Sequence, residues 1–164
     1  MTLWFRGDAQ VREAVAARLA CPAEHEPHCE FVCVRRDLLP ARDELAAWSR
    51  ELATDVLWMA VQPAVDAFEY VHYRGGASLR VLIYGSRVER LWEVIEGHPQ
   101  PWEMWRRPPK LGSGNFSFHG DPAAEVTRHY RLAGMGVPEA RQPPPKKRPQ
   151  ARPYKSEKRR KPNP

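Results

Sequence analysis

The amino-acid sequence predicts an α+β domain built on an antiparallel sheet, followed by a basic, proline-rich tail that has nothing to fold around. Three observations carry that prediction. Four strand-like runs follow one another between about residues 55 and 96, each closed by a glycine or proline break. Three other segments join a capping residue to apolar positions at helical spacing. Positive charge is gathered into the last stretch of the chain, where apolar residues almost vanish.

Taken in order, Thr2 to Arg6 is short, apolar and aromatic, and reads as a first strand. Asp8 is a suitable N-cap, after which Val11, Val15, Arg18 and Leu19 recur as one helical stripe. Cys21 to His28 holds two prolines and reads as loop. Glu30 to Arg36 alternates as a strand, with Phe31 and Cys33 on one face and Val32 and Val34 on the other. Asp37 then caps a second helix from about Pro40, which carries Leu45, Trp48 and Leu52 on one stripe.

The central runs are Asp55–Gln62, Val65–Arg74, Ser78–Tyr84 and Val88–Glu96, with breaks at Pro63, Gly75, Gly85 and Gly97. Such punctuation suits consecutive hairpins, so a four-strand meander is expected, with the helices on one of its faces. Phe68, Tyr70 and His72 share one face of the second run by parity. Residues 98–120 have four prolines and four large aromatics and no periodicity. Asp121 and Pro122 open a C-terminal helix with Val126 and Tyr130 on one face, and Gly134 and Gly136 stop it. The expected organisation is a compact domain over residues 1–138 and a disordered tail over 139–164.

Charge separates the two parts. Of 26 Lys and Arg and 20 Asp and Glu, the segment from Arg141 onward holds ten bases and one acid, Glu157, which is +9. The remainder is 16 bases against 19 acids, or −3, and the two sum to the formal +6. The tail has one large apolar side chain, Tyr154, to set against a backbone ordering cost of about 1–2 kcal/mol per residue. Its bases are Arg141, Lys146, Lys147, Arg148, Arg152, Lys155, Lys158, Arg159, Arg160 and Lys161. A segment of this kind binds phosphates by releasing counterions and needs no fixed fold to do so. Lys146 to Lys161, with Tyr154 able to stack on an unpaired base, are therefore the expected nucleic-acid contacts.

Two other constellations compete for a role. Cys21, His25, His28, Cys29 and Cys33 are soft or borderline metal ligands packed into 13 residues. They lack a Cys-x-x-Cys pair and a matching second half, and Cys33 falls on a strand that would bury it, so no metal is expected there. In the 98–120 segment, Trp102, Trp105, Phe116 and Phe118 interleave with Arg106, Arg107 and Lys110. That mixture resembles single-strand binding surfaces, but large rings also serve as lids over an open sheet face.

Catalytic signatures are missing. Gly112, Ser113 and Gly114 lack the flanking residues of a phosphate loop, and no nucleophile elbow, metalloprotease helix or dinucleotide fingerprint occurs. Asp66, Glu69 and His72 divide between the two faces of their strand by parity. No catalytic residue and no cofactor is therefore assigned, and the balance leans away from an enzyme. The N-terminus lacks a signal-peptide pattern, no apolar run approaches the ~20 residues of a membrane span, and three cysteines suit a reducing compartment. A cytoplasmic chain is expected, or a nuclear one if the cell has a nucleus. The expectation is a non-enzymatic accessory protein associated with RNA or a ribonucleoprotein through its tail. The alternatives are a protein-binding adaptor with a solubilising tail, then a small metal protein or enzyme. Membrane association is disfavoured for want of an amphipathic anchor.

Overall fold

The computed structural model describes residues 2–36, 40–62, 64, 66–88 and 90–132. The tail, Asp37 and the glycines at 134 and 136 lie outside these residues. The elements run β1 (Thr2–Arg6), α1 (Ala9–Leu19), β2 (Ala23–His25), β3 (Phe31–Arg35), α2 (Arg42–Glu51), β4 (Asp55–Gln62), β5 (Ala67–Arg74), β6 (Ala77–Tyr84), β7 (Trp92–Gly97) and α3 (Pro122–Tyr130). The chain is α+β, with the seven strands in one antiparallel sheet of order β2-β3-β1-β4-β5-β6-β7.

The four central runs do pair consecutively, but they are not a sheet by themselves. Leu3, Trp4 and Phe5 are all buried, so β1 is apolar on both faces and must lie inside a sheet covered on both sides. It sits between β3 and β4, and the expected four-strand sheet is extended to seven. The presumed loop after α1 contributes the short edge strand β2, paired to β3 through Ala23, Glu24 and His25. The fourth run begins later than expected. The N–H groups of Arg87 and Val88 point at the Glu93 carboxylate, which holds that segment as a turn and delays β7 to Trp92.

Helices do not share one face either. α1 and α2 pack with Phe5, Val32, Val34, Val56, Val71 and Val81 on one side. α3 and the 98–120 segment cover Trp4, Phe31, Leu57, Tyr70, Leu82 and Trp92 on the other. The caps follow local chemistry. Asp8 accepts from the N–H groups of Gln10 and Val11, and Asp121 from that of Ala123 ahead of Pro122. α2 begins after Ala41, whose N–H is taken by Glu44 at 2.8 Å, in place of a side-chain acceptor at the cap itself.

The 98–120 segment is long but firmly tied. Trp105 and Phe118 form a bridge, with hydrogen bonds from Arg106 to Ser117 and from His119 to Met104, both at 2.8 Å. Gly112 and Ser113 bond to the two backbone groups of Trp92. At its start Arg80 on β6 meets Glu103 in a two-pronged ion pair at 2.8 and 2.7 Å, with side-chain exposures of 4% and 1%. Glu103 also accepts from the Gln100 N–H and the Trp105 indole, so its carboxylate is fully engaged. Gly97 makes the turn into this segment at φ +76°, where an added Cβ would stand 2.0 Å from the Leu79 carbonyl oxygen.

Candidate functional site

The sheet face under α3 carries polar groups at one end. β5 places Tyr70, His72 and Arg74 on that face by its two-residue repeat, and its hairpin register sets Asp55 opposite Arg74 and Leu57 opposite His72. The pairing with β6 shifts register between His72 and Tyr73, a bulge of the kind that re-aims a side chain. α3 brings Tyr130 over the top, and the start of the 98–120 segment brings Gln100.

The result is a chain of contacts beside a cavity of about 530 Å³. Arg74 donates to both oxygens of Asp55, at 2.5 and 2.7 Å. Asp55 Oδ2 lies 3.4 Å from His72 Nε2, off the line of a hydrogen bond, so that buried nitrogen has no hydrogen-bond partner. His72 Nδ1 faces the hydroxyls of Tyr70 at 3.3 Å and Tyr130 at 3.5 Å, and those hydroxyls are 3.2 Å apart. Tyr130 also reaches Gln100 Oε1 at 3.4 Å. With a carboxylate beside Nε2, the imidazole proton belongs on Nε2, which leaves Nδ1 to accept from a tyrosine.

Burial works to raise the Asp55 carboxyl, but the Arg74 hydrogen bonds and the adjacent His72 outweigh it and hold the group well below the usual carboxylate range. Burial pushes the Tyr70 hydroxyl well above the ordinary tyrosine range, and its neighbour Tyr130 adds to the effect. Burial raises Tyr130 as well, against the hydrogen bond from Tyr70. Both phenols therefore keep their protons near neutral pH. Asp55 is an anion, held by Arg74 and lying beside His72.

Around the mouth stand Arg6, Glu30, His129 and Arg131, with Phe31, Leu79 and Pro101 as apolar wall. Arg6 is paired with Glu30 at 3.0 Å and lies 3.8 Å from Asp55. A second cavity, of about 380 Å³, lies among Val61, Phe68, Tyr84 and Phe116, with Asp66 at its edge paired to Arg90 at 3.3 Å.

The residues singled out in sequence fall elsewhere. The nucleic-acid contacts expected from Lys146 to Lys161 lie outside the described residues. Trp102 and Phe118 are buried in the core and Trp105 and Phe116 pack against it, so these four rings face the sheet. Arg106, Arg107 and Lys110 are exposed beside them. His25 contacts the Cys29 carbonyl at 3.0 Å, the Cys29 thiol points at Glu26, His28 is exposed and Cys33 is buried, while Cys21 packs beneath α1's face of the sheet. Among the described residues no three such side chains converge as a metal site.

Sequence reasoning had Tyr70 and His72 on a common face but missed Asp55, Arg74 and Tyr130 as their neighbours. Opposite charges at the open ends of one hairpin, Asp55 and Arg74, were the available signal. No family model, curated protein or solved structure matches this chain. Among the described residues no helix is long and apolar enough to cross a membrane.

Proposed function

We propose that the protein is a non-enzymatic accessory factor that associates with nucleic acid, RNA or a ribonucleoprotein foremost, through its basic C-terminal segment. The supporting observation is the charge division: ten bases and one acid from Arg141 onward, against a body that is formally −3. Electrostatic clamping of a phosphate backbone requires density of charge and no particular fold, so residues 139–164 need none of their own. The cytoplasm is the proposed setting. Tethering a globular body to a strand also raises its effective concentration at whatever it meets there.

The position of the body's own cations supports the same reading. The α3 end of the described chain, at His129 and Arg131, borders the polar cavity, together with Arg6 and Arg74. Arg141 is the tenth residue after Arg131, within about 35 Å even at full extension. Lys146 to Lys161 follow 15 to 30 residues after Arg131, so a strand held there stays tethered within about 50–105 Å of the cavity mouth.

The test uses full-length protein in which Lys146, Lys147, Arg148, Lys158, Arg159, Arg160 and Lys161 are replaced by Gln. Binding of single-stranded RNA is followed by fluorescence anisotropy across a salt series. With about five charges engaged, log affinity of the parent protein should fall with log salt at a slope of about −3.5 to −4.5. The substituted protein should lose most of that affinity. Undiminished binding with the same slope would assign the strand to the body and overturn the reading.

A further inference from the structure

We propose that the cavity beside His72 is a nucleotide site, in which Arg74 and Arg131 receive the phosphate of a nucleoside monophosphate or of a phosphorylated strand end. The choice of a nucleotide rests on the nucleic-acid reading above; the phosphate site rests on geometry.

Arg74 is the anchor. A guanidinium has five N–H donors in a fixed plane, and Asp55 engages two of them, those on Nε and Nη2. The carboxylate fixes the plane of the group, while the side chain stays 55% exposed and lines the cavity. That is the arrangement that suits two-point recognition of an oxyanion. Arg131 stands on the same wall, and its side chain has no hydrogen-bond or ion-pair partner among the described residues. It follows the last turn of α3 in a left-handed conformation, φ +51°, which fixes the backbone where the helix meets the mouth.

The charge balance favours an anion. Three guanidiniums, Arg6, Arg74 and Arg131, face two carboxylates, Glu30 and Asp55, and the carboxylates are already paired. One positive charge is left over before either histidine is counted. A second observation, at the inner wall, also points to a ligand. His72 lines the cavity with only 2% of its side chain exposed, and its Nε2 is left without a hydrogen-bond partner. Buried polar atoms are normally satisfied, and this nitrogen, 3.4 Å from Asp55 but off the line of a hydrogen bond, has room for a bound polar group or its water as a properly aligned partner.

Size and lining narrow the class. About 530 Å³ is far more than a bare phosphate fills and lies within the range of small-ligand sites. Phe31, Leu79 and Pro101 give an apolar flank, and the Tyr130 ring, edge-on to Phe31 at 5.8 Å, gives an aromatic one. A planar base fits that flank while its phosphate meets the arginines.

The experiment is calorimetric titration of the full-length protein with adenosine 5′-monophosphate, adenosine and inorganic phosphate. It is paired with RNA oligomers that carry or lack a 5′-phosphate. The monophosphate should bind, adenosine should bind at least tenfold more weakly, and the phosphorylated oligomer should exceed its unphosphorylated twin; these arms separate free nucleotide from strand end. Arg74→Gln should weaken the monophosphate about tenfold or more, and Arg131→Gln several-fold, each having removed hydrogen bonds to a charged group. Arg12→Gln, on α1 across the sheet, should change nothing. Should Arg74→Gln fail to fold because Asp55 loses its partner, Arg131→Gln decides the matter, since that side chain has no hydrogen-bond or ion-pair partner among the described residues.

Equal binding of adenosine and its monophosphate overturns the proposal, as does monophosphate binding that neither variant alters. Inorganic phosphate binding as tightly as the monophosphate overturns the nucleotide assignment. The tail-substituted protein separates the two readings. If it loses strand affinity while the parent shows no monophosphate binding, the cavity inference fails and the tail stands. If it keeps strand affinity while monophosphate binding follows Arg74 and Arg131, the tail reading fails and the cavity stands.

Discussion

On one side of the sheet, α1 and α2 lay apolar stripes over valines, with Leu45 and Trp48 at the centre of the contact. On the other, a segment with little regular structure and a single short helix do the same work, using tryptophans, phenylalanines and tyrosines. The first cover is made of helices that satisfy their own backbone, and its polar ties to the sheet come from side chains, Arg42 to Tyr73 and Glu96, and Ser49 with the Gly76 N–H. A loop brings backbone groups that need partners, and this one finds them in Arg80, Trp92 and its own Trp105–Phe118 bridge. Where the loop and α3 part, polar side chains are left facing a cavity. The proposed nucleotide site falls on the loop side.

The most damaging way to break this contrast is at the loop's anchor. Glu103→Ala strands Arg80, a buried charge, and should cost about 3–5 kcal/mol in urea unfolding. Replacing both partners with leucine should cost distinctly less than the single change, since no charge is then left unpaired. On the helical side, Leu45→Ala removes a buried side chain and should cost about 2–5 kcal/mol, with monophosphate binding unaltered in the folded fraction.

Acid provides a gentler probe of the polar end. The folded-state Asp55 carboxyl sits below its unfolded value of about 3.9, so the folded protein binds this proton less readily than the unfolded chain. Its contribution to stability is complete above about pH 5 and is lost as pH falls through 4 and lower. Urea midpoints measured down that range should decline, and Asp55→Asn should flatten the decline while lowering stability at pH 7. The smallest expected effect is Tyr130→Phe, at about 0.5–1.5 kcal/mol, because one phenol leaves a network in which Tyr70 still faces His72. A larger loss would mean that the hydroxyl is essential to the polar end.

Much of this architecture could be read from the chain, and the limits have physical causes. The hairpins from Asp55 to Gly97 were legible because glycine breaks and alternation are local. The turn at 87–88 was not, since it depends on Glu93 folding back on two N–H groups. β1 and β3 were recognised as strands, but their place beside β4 is a long-range pairing that no local pattern states. β2 was hidden among prolines in a segment whose extension is imposed by β3. For the site, parity put Tyr70 and His72 together. Tyr130, which is 58 residues from His72, meets it only through packing of α3. Asp55 is brought diagonally to His72 by a hairpin register that the sequence does not spell out.

The bonds from Gly112 and Ser113 to Trp92 also bear on how this protein behaves in a crowded solution. Strand β7 forms one of the two edges of the sheet, and a bare margin there would invite another chain to add itself. Here the molecule has already bound a piece of itself: both Trp92 backbone groups are taken, and the Glu96 carbonyl is engaged by Arg80. An intruding strand finds its register interrupted from the first pair. The same covering that shapes the cavity thus also guards against self-association, and loosening it should show first as concentration-dependent aggregation.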